Sequence, residues 1–228
     1  MNLCGNKDYA DGANFSKNLL IRLWTHWCLK AFGTMSFIFI FFSIYLYLLK
    51  NPCFSTTCMP LTAADGWIGF EPASLYFYLS LWLYVSLVPA LMKSRGELIR
   101  YGIYIGLLCM AGIAIYIVFP TTIPPNTIEW SKYPEFGMLK SIDTAGNAFP
   151  SLHVATAFFS ALWLDRDLRQ MNAHRSILWI NGMWCLGIVY STMAVKQHVF
   201  LDVIGGLLLG GIFALMSLRY HRSHFESL

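Results

Sequence analysis

Six long apolar runs, separated by polar segments, dominate the pattern of the chain. They are 33–49, 72–92, 101–119, 148–164, 176–195 and 199–218. A membrane-spanning helix needs about 20 mostly apolar residues, within a range of about 17–25. In lipid, only helices and closed barrels satisfy their own backbone groups, so runs of this length predict helices. The pattern therefore predicts an all-α, polytopic membrane protein with a bundle of six transmembrane helices.

Ahead of the first run, apolar residues recur at helical spacing with basic residues between them. They are Phe15, Leu19, Leu20, Leu23, Trp24 and Trp27, with Lys17, Arg22 and Lys30. This pattern predicts an N-terminal amphipathic helix in the membrane interface, or else the start of a long first helix. In the last run, Gly206 and Gly210 form a small-xxx-small pair. Such a pair predicts close helix packing within the chain or, alternatively, dimerisation.

Composition supports the membrane class. The chain is 57% hydrophobic and 12% charged, whereas soluble domains carry about 25% charged residues. The basic residues are scattered between apolar runs, which excludes a nucleic-acid-binding face. The cysteines show no metal-ligand spacing. Cys53 and Cys58 share one loop and are expected either as a disulfide or as two free thiols.

The distribution of Lys and Arg predicts the orientation. Twelve of the sixteen lie in segment 1–30, at the 93–100 and 166–175 connections, and after the last run. The positive-inside rule then puts both termini in the cytoplasm of a multi-pass plasma membrane protein. The chain is interpreted as a single domain, 1–228, with a cytoplasmic or interfacial segment 1–30, an outer loop 120–147 and candidate chemistry in 148–202.

The first polar cluster, 149–153, stands at the start of an apolar run. Pro150 suits the first turn of a helix, where its missing N–H costs nothing. Ser151, Leu152 and His153 would then present free backbone N–H groups at a helix N-terminus, which favours an anion. Ser151 adds a hydroxyl donor, and His153 adds a group that can donate a proton. A histidine that only caps the helix is the alternative.

The second cluster, 196–202, begins the last run with Lys196, His198 and Asp202. On a helix, His198 and Asp202 share a face, with Asp202 about 6 Å deeper. A carboxylate at that depth needs a partner, and one that binds an imidazole frees its other nitrogen to attack. A structural polar pair is one alternative, and a zinc-type site with His153 is another. Because both clusters fall at the outer side, we expect them to form one phosphate-handling site.

At these residues the sequence resembles the type 2 phosphatidic acid phosphatase superfamily, which includes the vanadium haloperoxidases. Pro150, Ser151 and His153 match its Pro-Ser-x-His motif. Ser191, His198 and Asp202 match its motif of Ser-Arg, five residues, His, three residues and Asp. The form Phe-Pro-Ser-Leu-His-Val-Ala is most similar to the inositolphosphotransferase-like branch. The matching motifs lie in the last half of the chain.

The chain also departs from the family pattern. Thr192 stands where the second of these motifs has Arg, and Asn126 stands where the branch often carries another Arg. The family's remaining motif, with Lys and Arg-Pro, has no clear match. Lys196 is therefore expected to replace one cation, and Lys132 or Lys140 could supply another from the loop.

The resemblance implies an integral membrane lipid phosphatase that hydrolyses a lipid phosphate monoester or diphosphate at the outer face, through a phospho-histidine. His198 would attack phosphorus, Asp202 would orient it, and His153 would protonate the leaving oxygen. The expected phosphate-binding groups are Ser151, Lys196 and the Leu152 backbone, with Ser191, Thr192, Asn126 and Lys140 as further candidates. No metal or cofactor is expected, and the expected partners are the lipid phosphate substrate and membrane lipids. A phospho-headgroup transferase and a non-catalytic membrane protein are the alternatives.

Overall fold

Helices make up most of the computed structural model, which describes residues 15–142 and 146–225. Residues 15–24 form the first helix, α1. The helices that follow are α2 (Trp27–Lys50), α3 (Leu75–Leu91), α4 (Arg95–Val118), α5 (Gly137–Ile142), α6 (Leu152–Gln170), α7 (Arg175–Ala194) and α8 (Phe200–Phe225). The expected all-α class is confirmed, while the placement of α1 in a membrane interface stays a prediction.

Five of the described helical segments are long and apolar enough to cross a membrane. They are Trp27–Lys50, Pro72–Leu91, Arg95–Val118, Arg175–Ala194 and Phe200–Arg219. The remaining expected span, 148–164, differs from its prediction, because α6 begins at Leu152 and continues to Gln170. Residues 165–170, which follow the predicted run, therefore belong to the helix. Asp167 there is fully buried, and Arg166 pairs with Glu97 of α4 at 2.8 Å.

α6 can carry these charges because it lies at the centre of the bundle. It packs against α3, α4, α7 and α8. Val154, Phe159 and Trp163 of α6 are fully buried. The Trp163 indole N–H donates to Ser217 Oγ of α8 at 2.9 Å. A helix enclosed by other helices does not need an apolar surface for lipid, so apolar length alone could not define it.

α6 and α8 run parallel with their backbones in close contact. A Cβ added at Gly206 would lie 2.5 Å from the Ser151 carbonyl oxygen, and one added at Gly210 would meet the backbone of Ala155. Only glycine fits such an approach. The small-xxx-small pair therefore serves packing within the chain, as one of the two sequence interpretations held.

Because α6 and α8 run parallel, both begin at the same end of the bundle, where Ser151, His153 and His198 lie. We call this the histidine end, and we call the opposite end, with Arg22 and Arg166, the arginine end. At the arginine end, Arg22 donates to the Leu91 carbonyl at 3.2 Å. Lys30 donates to the carbonyls of Arg22 and Ala90 at 2.5 and 2.8 Å. Two buried cations thus bind carbonyl groups at the C-terminal end of α3 and of α1.

The connections at the histidine end are bonded to one another. β1 (Thr57–Cys58) pairs in parallel with β2 (Thr121–Thr122). The connection after α4 returns to β2, where Phe149 N–H donates to Thr121 Oγ1 at 2.7 Å. Cys53 and Cys58 are free and exposed in the first of these connections. Loop 120–147 and the first polar cluster, both expected on the outer side, therefore share one end of the bundle with the connection that carries β1.

Candidate active site

Ser151 is the N-cap of α6. Its Oγ accepts the Val154 N–H at 3.2 Å, and the residue is fully buried. Pro150 precedes the cap, so its predicted place in the first turn was wrong. The Tyr116 hydroxyl donates to the Pro150 carbonyl at 2.6 Å and fixes this corner. A serine oxygen that accepts one bond still has its own O–H for a second partner.

His153 lies in the first turn of α6 and packs against α3. Its ring stacks on Tyr78, with ring centroids 4.0 Å apart. Its Nε2 lies 3.0 Å from the Tyr78 carbonyl oxygen. A carbonyl only accepts hydrogen bonds, so we assign a hydrogen to Nε2, and Nδ1 is the nitrogen left for proton exchange.

His198 lies just before α8 and not on it, because the helix begins at Phe200. The N–H groups of Gln197 and His198 both donate to the Thr192 carbonyl at 3.1 Å. This turn sets the position of His198 from the C-terminal end of α7. The prediction that His198 and Asp202 share a helical face was therefore wrong, because only Asp202 lies on the helix.

Asp202 is nevertheless close to the His198 ring. Nδ1 of His198 lies 3.5 Å from Asp202 Oδ2, slightly beyond the usual hydrogen-bond distance of about 2.7–3.2 Å. The same Oδ2 accepts the Val199 N–H at 2.9 Å, as a carboxylate in the third helical position does in a capping box. Asp202 is fully buried, so its charge acts on the ring without competition from bulk solvent.

The two clusters meet directly. The Ser151 N–H donates to the Asp202 carbonyl at 3.0 Å. His153 and His198 line the same cavity, which has a volume of about 410 Å³. Leu152 lines this cavity too, and its side chain packs against Gly112 of α4. The structure thus brings both predicted histidines and the start of α6 to one space.

The remaining predicted residues lie in different surroundings. Lys196 has a φ of 57° and donates to the Ile68 carbonyl at 2.5 Å. Ser191 and Thr192 are buried, and their hydroxyls donate to carbonyls of their own helix at 2.6 and 2.8 Å. Thr192 therefore contributes its carbonyl to the site and not its hydroxyl.

The two candidates from the long loop lie apart from the cavity. Asn126 is exposed and accepts the Ile128 N–H at 3.4 Å. The Lys140 ammonium lies 3.9 Å from the centre of the Trp130 ring. Lys132, also considered as a cation for the site, pairs with Glu129 at 2.6 Å on the surface. Neither Asn126 nor Lys140 is among the described residues that line the cavity.

Asp65 is a site residue that the sequence did not indicate. Its Oδ1 accepts the Phe200 N–H at 2.7 Å, and its Oδ2 accepts the Thr62 N–H at 2.7 Å. Burial acts to raise the pKa of Asp65, but these hydrogen bonds and the charge of Lys196 outweigh it and lower the pKa. The Thr62-x-x-Asp65 spacing is a local capping signal, but nothing in it points to α8.

Asp65 also changes the expected anion site. The sequence predicted that the N-termini of two helices would face one oxyanion. At α8, the Val199 and Phe200 N–H groups already bind the carboxylates of Asp202 and Asp65. The helix end left for an anion is that of α6, where the first N–H groups have no acceptor within the helix.

The cavity continues from the histidines as an apolar groove between α2, α3 and α4. Its walls include Phe37, Phe41, Val85 and Ile105, and it reaches Lys30 at the arginine end. From Leu29 to Tyr45 of α2 the groove extends about 24 Å. α2 packs loosely beside this space, since Lys30 is the one residue of Trp27–Lys50 that is buried.

No group of three or more His, Cys, Asp or Glu side chains within residues 15–142 and 146–225 is placed to hold a metal ion. The described side chains thus offer an imidazole pair beside a buried carboxylate, next to the N-terminus of α6. This is a set for nucleophilic attack, proton transfer and anion binding.

The fold and this site define a polytopic helical membrane protein with a paired-histidine site at one end of the bundle. By sequence, the chain belongs to the PAP2 superfamily, which it matches over residues 32–226. Members of this superfamily are phosphatases or related phosphotransferases that act on phosphate esters. No curated protein and no solved structure matches the chain. The inositolphosphotransferase-like branch stays a prediction.

Proposed function

We propose that this protein is an integral membrane lipid phosphatase that hydrolyses a phosphate monoester or diphosphate of a lipid. The observation that carries the proposal is the cavity that holds both histidines and continues as an apolar groove about 24 Å long. A soluble substrate needs no such groove, whereas the binding of a hydrocarbon chain is stabilised in proportion to the apolar surface area that it buries there.

In the proposed mechanism, Nε2 of His198 attacks phosphorus, and the bond from phosphorus to the leaving oxygen breaks. His153 acts as the imidazolium, with a hydrogen on each ring nitrogen, and gives its Nδ1 proton to that oxygen. Asp202, 3.5 Å from the His198 ring, stabilises the positive charge that develops there. Water then attacks phosphorus and gives a proton to His153, and the phosphorus–nitrogen bond breaks. Phosphate leaves, and both histidines return to their first state.

We assign the phosphoryl oxygens to donors at the start of α6. The Ser151 hydroxyl and the Leu152 backbone N–H stand in the first turn, where the helix dipole favours negative charge. Lys196 adds a positive charge in the neighbouring turn. Fixed donors that meet the charge of a transition state commonly give the largest part of phosphoryl-transfer catalysis.

We propose six membrane crossings, made by the five long apolar helices and by α6. It has 19 residues, or about 28 Å, close to the thickness of a bilayer core. The histidine end then faces the extracytoplasmic side and both termini face the cytoplasm. The Lys and Arg distribution supports this orientation, since most of these residues lie toward the arginine end and the termini.

Phosphate release from purified protein tests the function. We expect release from phosphatidic acid, phosphatidylglycerol phosphate or a polyprenyl diphosphate, without inhibition by chelators. His198→Ala should lower kcat at least about 1,000-fold, as removal of a nucleophile does. His174→Ala is the control, because His174 is exposed at the arginine end.

The same assay on intact cells tests the orientation. Cells that express the protein should hydrolyse a membrane-impermeant phosphate ester added outside faster than cells without it. His198→Ala should abolish this difference in rate. Activity that survives His198→Ala, or that chelators remove and zinc restores, contradicts the mechanism. Transfer of the phosphate to an alcohol without its release would instead identify a transferase.

A further inference from the structure

The histidine end contains several buried polar atoms without a hydrogen-bond partner. Among the residues that the structure describes, such side-chain atoms include Asn147 Nδ2, Gln197 Nε2, His198 Nδ1 and Asp202 Oδ1. Buried polar groups in folded proteins are almost always hydrogen-bonded. In this group His198 Nδ1 faces Asp202 Oδ2 at 3.5 Å, so the other atoms are the candidates for contact with a ligand.

Asn147 is a member of this cluster that no motif explains. It is 5% exposed, and it lines the same cavity as His153 and His198. Gln197 is buried too, but it is not among the described residues that line the cavity. Asn147 therefore combines burial, an unpartnered donor and a place on the cavity wall.

The backbone around Asn147 is held in place before any substrate arrives. Gly146 pairs with Thr122, and the Ala148 and Phe149 N–H groups donate to Thr121. Asn147 itself has a φ of 51°, in the left-handed region. A donor on such a fixed segment loses little conformational freedom when it binds a ligand.

The left-handed backbone alone could account for an asparagine, since Asn is enriched at positive φ. It does not account for an amide that is buried, unpartnered and on the wall of a cavity with two histidines. An amide nitrogen carries two donors and no acceptor. Non-bridging phosphoryl oxygens carry negative charge and accept hydrogen bonds, so they are the complementary partner.

We propose that Asn147 is a substrate-binding residue whose Nδ2 donates to a non-bridging oxygen of the phosphate group. The inference rests on the proposed phosphatase function. It also accounts for binding without the arginine that the family motif has at the position of Thr192. A neutral amide takes one of the phosphoryl contacts that a guanidinium would otherwise make.

Two substitutions separate the amide from the backbone. Asn147→Gly keeps the positive φ without strain and removes the donor. Asn147→Asp keeps the size of the side chain and places a carboxylate against the phosphate. We expect kcat/KM for phosphatidic acid to fall about 10- to 100-fold in the glycine variant, the range for one hydrogen bond to a charged group. We expect a larger fall in the aspartate variant.

Orthovanadate, which resembles the transferring phosphoryl group, provides the second measurement. Its inhibition constant should rise by a similar factor in Asn147→Gly, and its stabilisation of the protein against heat should shrink. The thermal unfolding temperature without vanadate should stay near that of the wild type. A backbone role alone predicts no change in the inhibition constant or in the vanadate protection, because glycine also adopts the positive φ.

The outcomes distinguish the inference from the proposed function. Wild-type kcat/KM and wild-type vanadate inhibition in Asn147→Gly would overturn the inference. The Asn147 amide of the wild type would then bind a buried water and not the phosphate. A loss of vanadate protection in Asn147→Asp as well as in Asn147→Gly supports it, even if either variant is less stable. A wild-type protein that neither releases phosphate nor binds vanadate would refute the proposed function itself.

Discussion

At the scale of single residues, two carboxylates define the start of α8. Val199, in the N-cap position, has no side-chain acceptor for the first N–H groups of the helix. Asp202 accepts from Val199 and Asp65 accepts from Phe200, at 2.9 and 2.7 Å. His198 is the residue just before this cap. Its position therefore depends on Asp65, which comes from a connection more than a hundred residues earlier in the chain.

We expect Asp65→Ala to lower the free energy of unfolding by about 1–2 kcal/mol, as loss of a helix cap does. It should also lower kcat, because the segment that carries His198 loses its anchor. Asp65→Asn keeps one acceptor oxygen and should cost less. Thermal unfolding in detergent and phosphate release measure the two effects. Glu129→Ala is the control, since its pair with Lys132 is exposed and should matter little.

The pH dependence of this contribution follows from the lowered pKa of Asp65. A group whose pKa is lower in the folded state stabilises the protein above its unfolded pKa, about 3.9 for Asp. That stabilisation is lost as the pH falls through the folded pKa. The stability difference between the wild type and Asp65→Asn should therefore shrink in acid. A difference that grows as the pH falls would contradict the assignment.

At the scale of elements, the sequence predicted those helices that the length of an apolar run can identify. The five long apolar helices overlap their predicted runs, and α2 and α4 begin six residues before theirs. Their apolar length was predictable because lipid imposes one simple requirement on them. α6 departs from its run since its surroundings are protein, and the Arg166–Glu97 pair offsets the cost of charge there. β1 and β2 have two residues each. Their pairing depends on tertiary contacts that no local pattern records.

The same contrast applies to the candidate site. His153, Ser151, His198 and Asp202 were found because their spacing is a sequence property. Asp65 and Asn147 were missed because each acts on an element far from it in sequence, or from a loop with no motif. The helical placement of His198 was wrong because the helix starts after a cap at Val199, and one of the two carboxylates of that cap, Asp65, is distant in sequence.

The contact between α6 and α8 gives a prediction about these elements. Gly210→Ala places a methyl group against the backbone of Ala155, which cannot move as a side chain can. We expect a loss of about 1–3 kcal/mol, the usual cost of overpacking. Activity should fall as well, because the two helix starts that carry the site would separate.

Gly182→Ala on α7 is the matched control for this contact. No heavy atom lies within 4 Å of a Cβ added there, and alanine favours a helix over glycine by roughly 0.5–1 kcal/mol. Its unfolding temperature should therefore stay equal or rise slightly. Equal stability of the Gly210 and Gly182 variants would show that α6 and α8 are not in backbone contact.

At the scale of the whole molecule, the groove connects the chemistry to the bilayer. The histidine end holds the polar groups, and α2 stands far enough from α3 and α4 to leave an apolar space beside them. A lipid could then keep its chain among apolar side chains while its phosphate reaches the histidines. The loose packing of α2 is thus what the proposed substrate class requires, and it can be tested independently of the catalytic residues.

Gly102 on α4 is the position for this test. It lines the groove, and a Cβ added there meets no heavy atom within 4 Å, so a larger side chain fills the groove without a backbone clash. It lies about 24 Å along α4 from Val118 near the histidine end. Gly102→Phe should therefore lower activity several-fold on long-chain phosphatidic acid and leave activity on para-nitrophenyl phosphate unchanged. Gly182→Phe, on the outside of α7, should affect neither substrate. Equal losses on both substrates in Gly102→Phe would mean that the groove supports the fold and does not hold a lipid chain.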